Sequence, residues 1–260
     1  MIILKKYGKY ILFSILVLVS FYTTNKTANL VRSQDPILKE IQNASKERKL
    51  DFVNAEINDD YIIPGIYGSV IDELKSLAKM KEQDAFNSLY LVSQPIKPDI
   101  SLSDNLDKII IKGNSKKQQV SFIIDASSSK EIKDYLVKNN IKADILVTKE
   151  TYSKNSYFEQ INNDFVNYKE LDKTLKKDKI NTNICILDNN SNLKFCESKK
   201  KYLVKPELLL DKTNIIEVKE ALNSGSIIYI KDATYLDCLV EYIKSKDLKI
   251  VFLSELISEK

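Results

Sequence analysis

Val120-Ser-Phe-Ile-Ile-Asp125-Ala-Ser-Ser128 is a short apolar strand that ends on an aspartate and a polar turn. The same pattern recurs on either side of it. Apolar strands are expected at 108–111, 120–124, 144–147, 184–187, 215–218, 226–230 and 249–252, with helices at 130–139, 167–176 and 234–245. Short apolar strands alternating with helices are the signature of a parallel α/β architecture. Asn139-Asn140 suits the end of the first helix, because asparagine tolerates the left-handed backbone that often closes one. Residues 107–260 number only 154, whereas a complete eightfold barrel takes roughly 250. The expected fold class is therefore α/β, a reduced or irregular (β/α) barrel.

Upstream, Lys5, Lys6 and Lys9 precede the 13-residue apolar run Tyr10 to Tyr22, the layout of a secretory signal or signal-anchor. A bilayer core takes about 20 helical residues, a length reached from Ile2 to Tyr22 if the lysines snorkel. Tyr7, Tyr10 and Tyr22 suit the interfaces. Residues 23–29 offer no clear small-x-small cleavage site, so 1–24 reads as an uncleaved anchor in the cell membrane. Positive charge inside puts residues 23–260 on the extracytoplasmic side; cleavage would make the protein secreted.

Residues 25–106 read as a stalk and a small N-terminal region, and 107–260 as the main domain. The stalk helix covers about 34–50, with Asp35 as N-cap and Pro36 at the first helical position. A strand broken by Pro64-Gly65 follows, then a helix over 69–81 with Val70, Leu74, Leu77 and Ala78 on its apolar face. Pro95 and Pro98 impose an extended connector at 94–99.

With 43% apolar and 29% charged residues and only five Gly and five Pro, the chain is globular. Once Lys5, Lys6 and Lys9 are set aside, its 40 basic residues fall to 37 against 36 acidic ones. No nucleic-acid partner is implied. The chain contains no histidine, which removes the commonest general base and zinc ligand from any mechanism.

Three cysteines fit an oxidising compartment only if two of them pair. Cys185 and Cys196 flank Asp188-Asn-Asn-Ser-Asn192 and read as facing positions of a hairpin centred between Asn190 and Ser191. Opposed residues there have Cα atoms about 4.5 Å apart, within disulfide range. The other reading is two reduced cysteines packed as small hydrophobes. Cys238 reads as buried and free.

Parallel α/β folds carry their sites at the C-terminal ends of strands. Three places qualify: Asp125, the polar stretch Asn163 to Asp172, and Lys231-Asp232. With Tyr135-Leu-Val-Lys-Asn-Asn-Ile-Lys-Ala-Asp-Ile-Leu-Val-Thr148, Gly225-Ser-Ile-Ile-Tyr-Ile-Lys-Asp232 and Leu248-Lys-Ile-Val-Phe-Leu-Ser-Glu-Leu256, these residues resemble the polysaccharide deacetylase family, the NodB-homology domain, over roughly 107–260. The resemblance implies zinc-assisted removal of acetyl groups from N-acetylated sugars, with an Asp base, a metal-binding Asp, two His ligands and a His acid. Here Asp125 matches the base, Ala126 stands at the metal Asp, Tyr168 and Asp172 at the metal histidines, and Lys231 at the acid histidine before Asp232. The family's Arg-Pro-Pro motif has no convincing match, although Lys205-Pro206 lies in its region.

A catalytic zinc needs three protein ligands, so the resemblance implies a degenerate member with no zinc and no other cofactor. Asp125, Lys231 and Asp232 are vestigial catalytic candidates, with Lys231 and Asp125 expected to form an ion pair; Tyr168 and Asp172 are candidate binding residues. The first expected function is an inactive, membrane-anchored deacetylase-like protein that binds a cell-surface polysaccharide or acts as a scaffold. The alternatives are an active carbohydrate deacetylase or hydrolase with atypical residues, and a structural envelope protein that meets a protein partner.

Overall fold

The computed structural model describes residues 2–154, 156–188 and 192–260. They form two compact units, one of Met1–Asp51 with Gly68–Ile96 and one of Phe52–Tyr67 with Lys97–Lys260. The chain opens with α1 (Ile2–Ser33) and α2 (Pro36–Arg48), enters the second unit for β1 (Glu56–Asn58) and β2 (Tyr61–Ile63), and returns for β3 (Gly68–Ile71), α3 (Glu73–Met80) and β4 (Ser93–Ile96). The second unit then holds β5 (Ile109–Ile110), β6 (Gln119–Asp125), α4 (Lys130–Lys138), β7 (Asp144–Val147), β8 (Glu159–Asn162), α5 (Tyr168–Lys177) and β9 (Ile184–Ile186). It ends with α6 (Leu193–Ser198), β10 (Tyr202–Val204), β11 (Leu208–Leu210), α7 (Ile215–Ala221), β12 (Ile227–Ile230), α8 (Leu236–Ser245), β13 (Lys249–Val251) and α9 (Leu253–Ile257).

In the first unit, α1 includes the run Tyr10 to Tyr22, whose large apolar side chains are exposed. Among the described residues no helix is long and apolar enough to cross a membrane. Asp35 caps α2 by accepting the Ile37 and Leu38 N–H groups at 2.9 and 3.4 Å, with Pro36 at the first helical position. This helix is no bare stalk: Ile37, Leu38 and Ile41 pack with Ile71, Leu77 and Met80 into a small core. The helix expected over 69–81 starts late, because Asp72 accepts the Lys75 N–H at 3.0 Å and caps α3 there. Residues 68–71 instead pair antiparallel with 93–96, so Pro95 sits in a two-stranded ladder, an edge position that tolerates a missing N–H.

The second unit carries two sheets. One has strand order β1-β2-β5-β10-β9, parallel except for the β1–β2 hairpin. The other, β11-β12-β6-β7-β8, is parallel throughout. The central strand β6 has three partners, because β13 pairs with Gln119 to Ser121 while β7 pairs with Ile123 to Asp125. Its side chains alternate as a pleat requires. Val120, Phe122 and Ile124 pack with Leu136, Leu239 and Ile243 of α4 and α8, while Ile123 joins the inner core. That inner core draws on both sheets, with Ile62, Ile110, Ile184 and Val204 from one and Leu146, Ile161 and Ile227 from the other. The class is therefore a mixed α/β fold with parallel sheets, built as two ladders around one core.

Several local expectations are corrected. Residues 215–218 are helical: Ile215, Val218 and Leu222 fall at spacings of three and four and face the outer core, while Ile216 is 71% exposed. β8 escapes apolar patterning because its buried Gln160 and Asn162 are satisfied by backbone, at Ser153 in the preceding loop and at the Tyr168 carbonyl at the start of α5. β10 and β11 are three residues each and flank Lys205-Pro206. Asn140, with φ 53°, does supply the left-handed residue after α4.

Cys185 and Cys196 form a disulfide with Cα atoms 5.8 Å apart. The hairpin geometry does not hold, since Cys185 lies on β9 and Cys196 on α6; the expected turn at 189–191 lies outside the described residues. Cys238 is exposed rather than buried, because Leu236, Leu239, Val240 and Ile243 take the inner face of α8.

Candidate functional site

A cavity of about 850 Å³ opens at the C-terminal ends of the strands in the second unit. Nearly every parallel strand contributes to its wall. Tyr61 belongs to β2, Asp125 to β6, Leu146 to β7, Ile186 to β9 and Tyr229 to β12, while Ile111, Asn163, Lys205 and Lys231 each follow a strand end directly. A strand end exposes side chains in a fixed direction while the core below holds the backbone, which is why sites collect there.

Asp125 closes β6, and its N–H donates to Ser128 Oγ at 3.1 Å. The Tyr229 hydroxyl donates to its Oδ2. Burial, and then this carboxylate, push the Tyr229 phenol above its ordinary range. The Lys231 ammonium lies 5.8 Å from the centre of the Tyr229 ring, so cation, ring and carboxylate succeed one another along this wall. The expected ion pair between Lys231 and Asp125 does not form among the described residues, and tyrosine takes the carboxylate instead.

Another part of the wall is positioned by Asp164, whose Oδ1 accepts the N–H groups of Val166 and Asn167 at 3.1 and 2.8 Å, and whose Oδ2 accepts that of Lys149 at 3.0 Å. Those bonds, the Asn167 N–H foremost, hold the Asp164 carboxyl below its ordinary range. They fix the loop that brings Asn163 and Phe165 to the cavity. Phe165 meets Phe195 edge to face at 5.3 Å.

Of the five candidate catalytic and binding residues, the cavity gathers two, Asp125 and Lys231, and Lys205-Pro206 line it as well. Asp232 does not line it: its Oδ1 accepts the Thr234 N–H at 2.9 Å and the Thr234 hydroxyl, its Oδ2 lies 3.8 Å from Lys212, and the Thr234 hydroxyl leads in lowering its carboxyl. Tyr168 and Asp172 lie apart, on α5. The Tyr168 ring is buried, 5.0 Å from Phe195 and 4.6 Å from the Lys201 ammonium. Asp172 pairs with Lys201 and, at 2.8 Å, with Lys176. Asn163 and Lys205, in stretches the sequence singled out without a role for either, also line it, and Tyr229, two positions before Lys231, is the contributor that motif reading missed; only the pleat decides which of such neighbours faces inward.

The residues present do not fit a catalytic zinc. Ala126, which the resemblance sets at the metal aspartate, packs against the outer core. Asp125 already accepts a phenol hydrogen bond. Among the described residues no three His, Cys, Asp or Glu side chains group to hold a metal ion. What the arrangement offers is an amphiphilic cleft with aromatic, amide, cationic and carboxylate groups, suited to binding.

No family model matches the chain. An uncharacterized protein of Bacillus subtilis (strain 168), YlxY, is 29% identical over 122 residues, which is 45% of this chain and 38% of that protein. This chain thus covers well under two thirds of that relative. Among solved structures, wild-type BA3943 of Bacillus anthracis, described as a CE4 family pseudoenzyme, superposes with a TM-score of 0.58 at 17% identity, covering 87% of this chain and 96% of that one. A BA3943 mutant described as having restored enzymatic activity gives 0.58 and 17%, covering 86% and 98%. The chain therefore has a polysaccharide-deacetylase-like fold, similar to that of a CE4 family pseudoenzyme.

Proposed function

We propose that this chain is an exported, deacetylase-like protein without zinc-dependent deacetylase activity, and that its cavity binds a cell-surface glycan. The observation that carries the reading is the Tyr229 hydroxyl bond to Asp125. The one carboxylate matching a deacetylase base is engaged by a phenol, in a cleft of about 850 Å³ that lacks a metal donor set among the described residues. Exposed aromatic faces at Tyr61 and Phe165 and the amide of Asn163 supply the stacking and hydrogen bonding that sugars need. Cosedimentation of the purified chain with insoluble peptidoglycan and with chitin tests it. Saturable retention on either polymer is expected, and retention on neither refutes glycan binding.

Export is supported by the lysine-flanked apolar run at the N-terminus and by the Cys185–Cys196 disulfide. In this reading the N-terminal segment 1–24 directs export and residues 23–260 are extracytoplasmic. Cys238 provides the test, being exposed and free. A membrane-impermeant maleimide is expected to label it in intact cells, and labelling only after lysis would place the domain inside.

A further inference from the structure

We infer that the cavity selects a glycan bearing an anionic group, with Lys205 as its main anchor; this rests on the glycan-binding reading above. Lys205 follows β10 and Lys231 follows β12, so one cation comes from each sheet and both line the same cavity. Lys205 is half-buried, with its backbone N–H fixed on the Ile110 carbonyl at 2.9 Å. Among the described residues neither lysine has a carboxylate at ion-pair distance.

Sequestering an ammonium from water without a counter-charge is unfavourable. The buried Lys201 meets that need with Asp172, whereas Lys117 turns to the Glu255 and Ser258 carbonyls. Lys205 stands at the wall of a cavity, where an incoming anion can supply the counter-charge.

The acidic lining does not fill this place: the Asp125 carboxylate accepts the Tyr229 hydroxyl, and among the described residues neither Asp188 nor Glu207, both exposed, comes within ion-pair distance of Lys205. Lys231, over the Tyr229 ring, adds a second positive charge beside the engaged Asp125.

The test uses the full chain in calorimetric titrations with a trigalacturonate and with its fully methyl-esterified form, which keeps the sugar backbone and removes the charge. The acid is expected to bind about tenfold or more tightly than the ester, the scale of one charge-assisted contact, with affinity falling as salt rises. Lys205→Gln is expected to remove most of that preference and Lys231→Gln part of it. Equal affinity for acid and ester overturns the inference, as does a preference indifferent to Lys205→Gln. A glucosamine 6-phosphate titration separates a general anion site from a carboxylate-selective one. If neutral N-acetylated oligomers bind and the acid does not, only the anion inference fails; if no saccharide binds, the glycan reading itself fails.

Discussion

The Tyr229 hydroxyl reaches Asp125 diagonally across two neighbouring parallel strands, in a register that pairs Tyr229 with Ile123. Asp125 lies two residues beyond Ile123, on the same face of β6, so the pleat aims both side chains into one cavity. The aspartate that resembles a catalytic base is thereby part of the wall.

Tyr229→Phe removes this donor and is expected to cost about 1–2 kcal/mol, the worth of a hydrogen bond to a charged group in a partly solvated site. Urea denaturation reads it. In the reverse variant, Asp125→Asn, the Tyr229 phenol is expected to titrate lower than in the wild type while staying above an ordinary tyrosine, because burial, the larger cause, persists. Alkaline absorbance titration checks the direction.

Asp144 is fully buried at the start of β7, opposite Glu159 of β8. Its Oδ2 accepts the Leu253 N–H at 2.7 Å and the Ser121 hydroxyl at 3.3 Å, while Oδ1 has no hydrogen-bond partner among the described residues. Burial first, with Glu159 adding to it, pushes this carboxyl well above its ordinary range. A carboxyl raised on folding contributes stability that is present below its unfolded pKa, near 3.8, and is lost as pH rises through the folded value. Asp144→Asn mimics the protonated acid. It is expected to match the wild type in acid and to exceed it in stability as pH rises, as read by denaturation at several pH values.

The disulfide closes a sequence separation of 11 residues between two buried cysteines. Loop-closure entropy of that length corresponds to about 3 kcal/mol. Chemical reduction is expected to lower the urea midpoint accordingly, without abolishing the inner core, to which neither cysteine belongs.

The Asp172–Lys201 pair separates structural from binding roles. Burial pushes the Asp172 carboxyl up, but hydrogen bonds from Lys176 and Lys201 outweigh it and hold the group below its ordinary range; burial pulls Lys201 down. Asp172→Ala strands a buried ammonium and is expected to cost about 3 kcal/mol. Since neither Asp172 nor Lys201 lines the cavity, polymer retention by the folded variant is expected to be unchanged.

The parallel α/β pattern was legible because β6, β7, β9 and β12 are apolar and sit between helices with a clear buried stripe, such as Ile132 and Leu136 of α4. β8 was not, because Ile161 is its one apolar residue and the buried Gln160 and Asn162 beside it are polar, satisfied by the backbone of Ser153 and Tyr168. The site was half legible. Asp125 and Lys231 follow from their places at strand ends, whereas Tyr168 and Asp172 matched a spacing of four, which puts both on one helix face but does not say what that face meets. The cysteine pairing was right for a partly wrong reason, since a helix rather than a strand returns Cys196 to Cys185.

The central claim is that the cavity has become a binding cleft without zinc chemistry. Its most direct test loads the purified chain with zinc, removes the excess by gel filtration, and measures bound metal together with acetate release from N-acetylated chitooligosaccharides. The account predicts far less than one zinc per chain and no acetate above the protein-free control. Stoichiometric zinc with acetate release, both lost in Asp125→Asn, would contradict it.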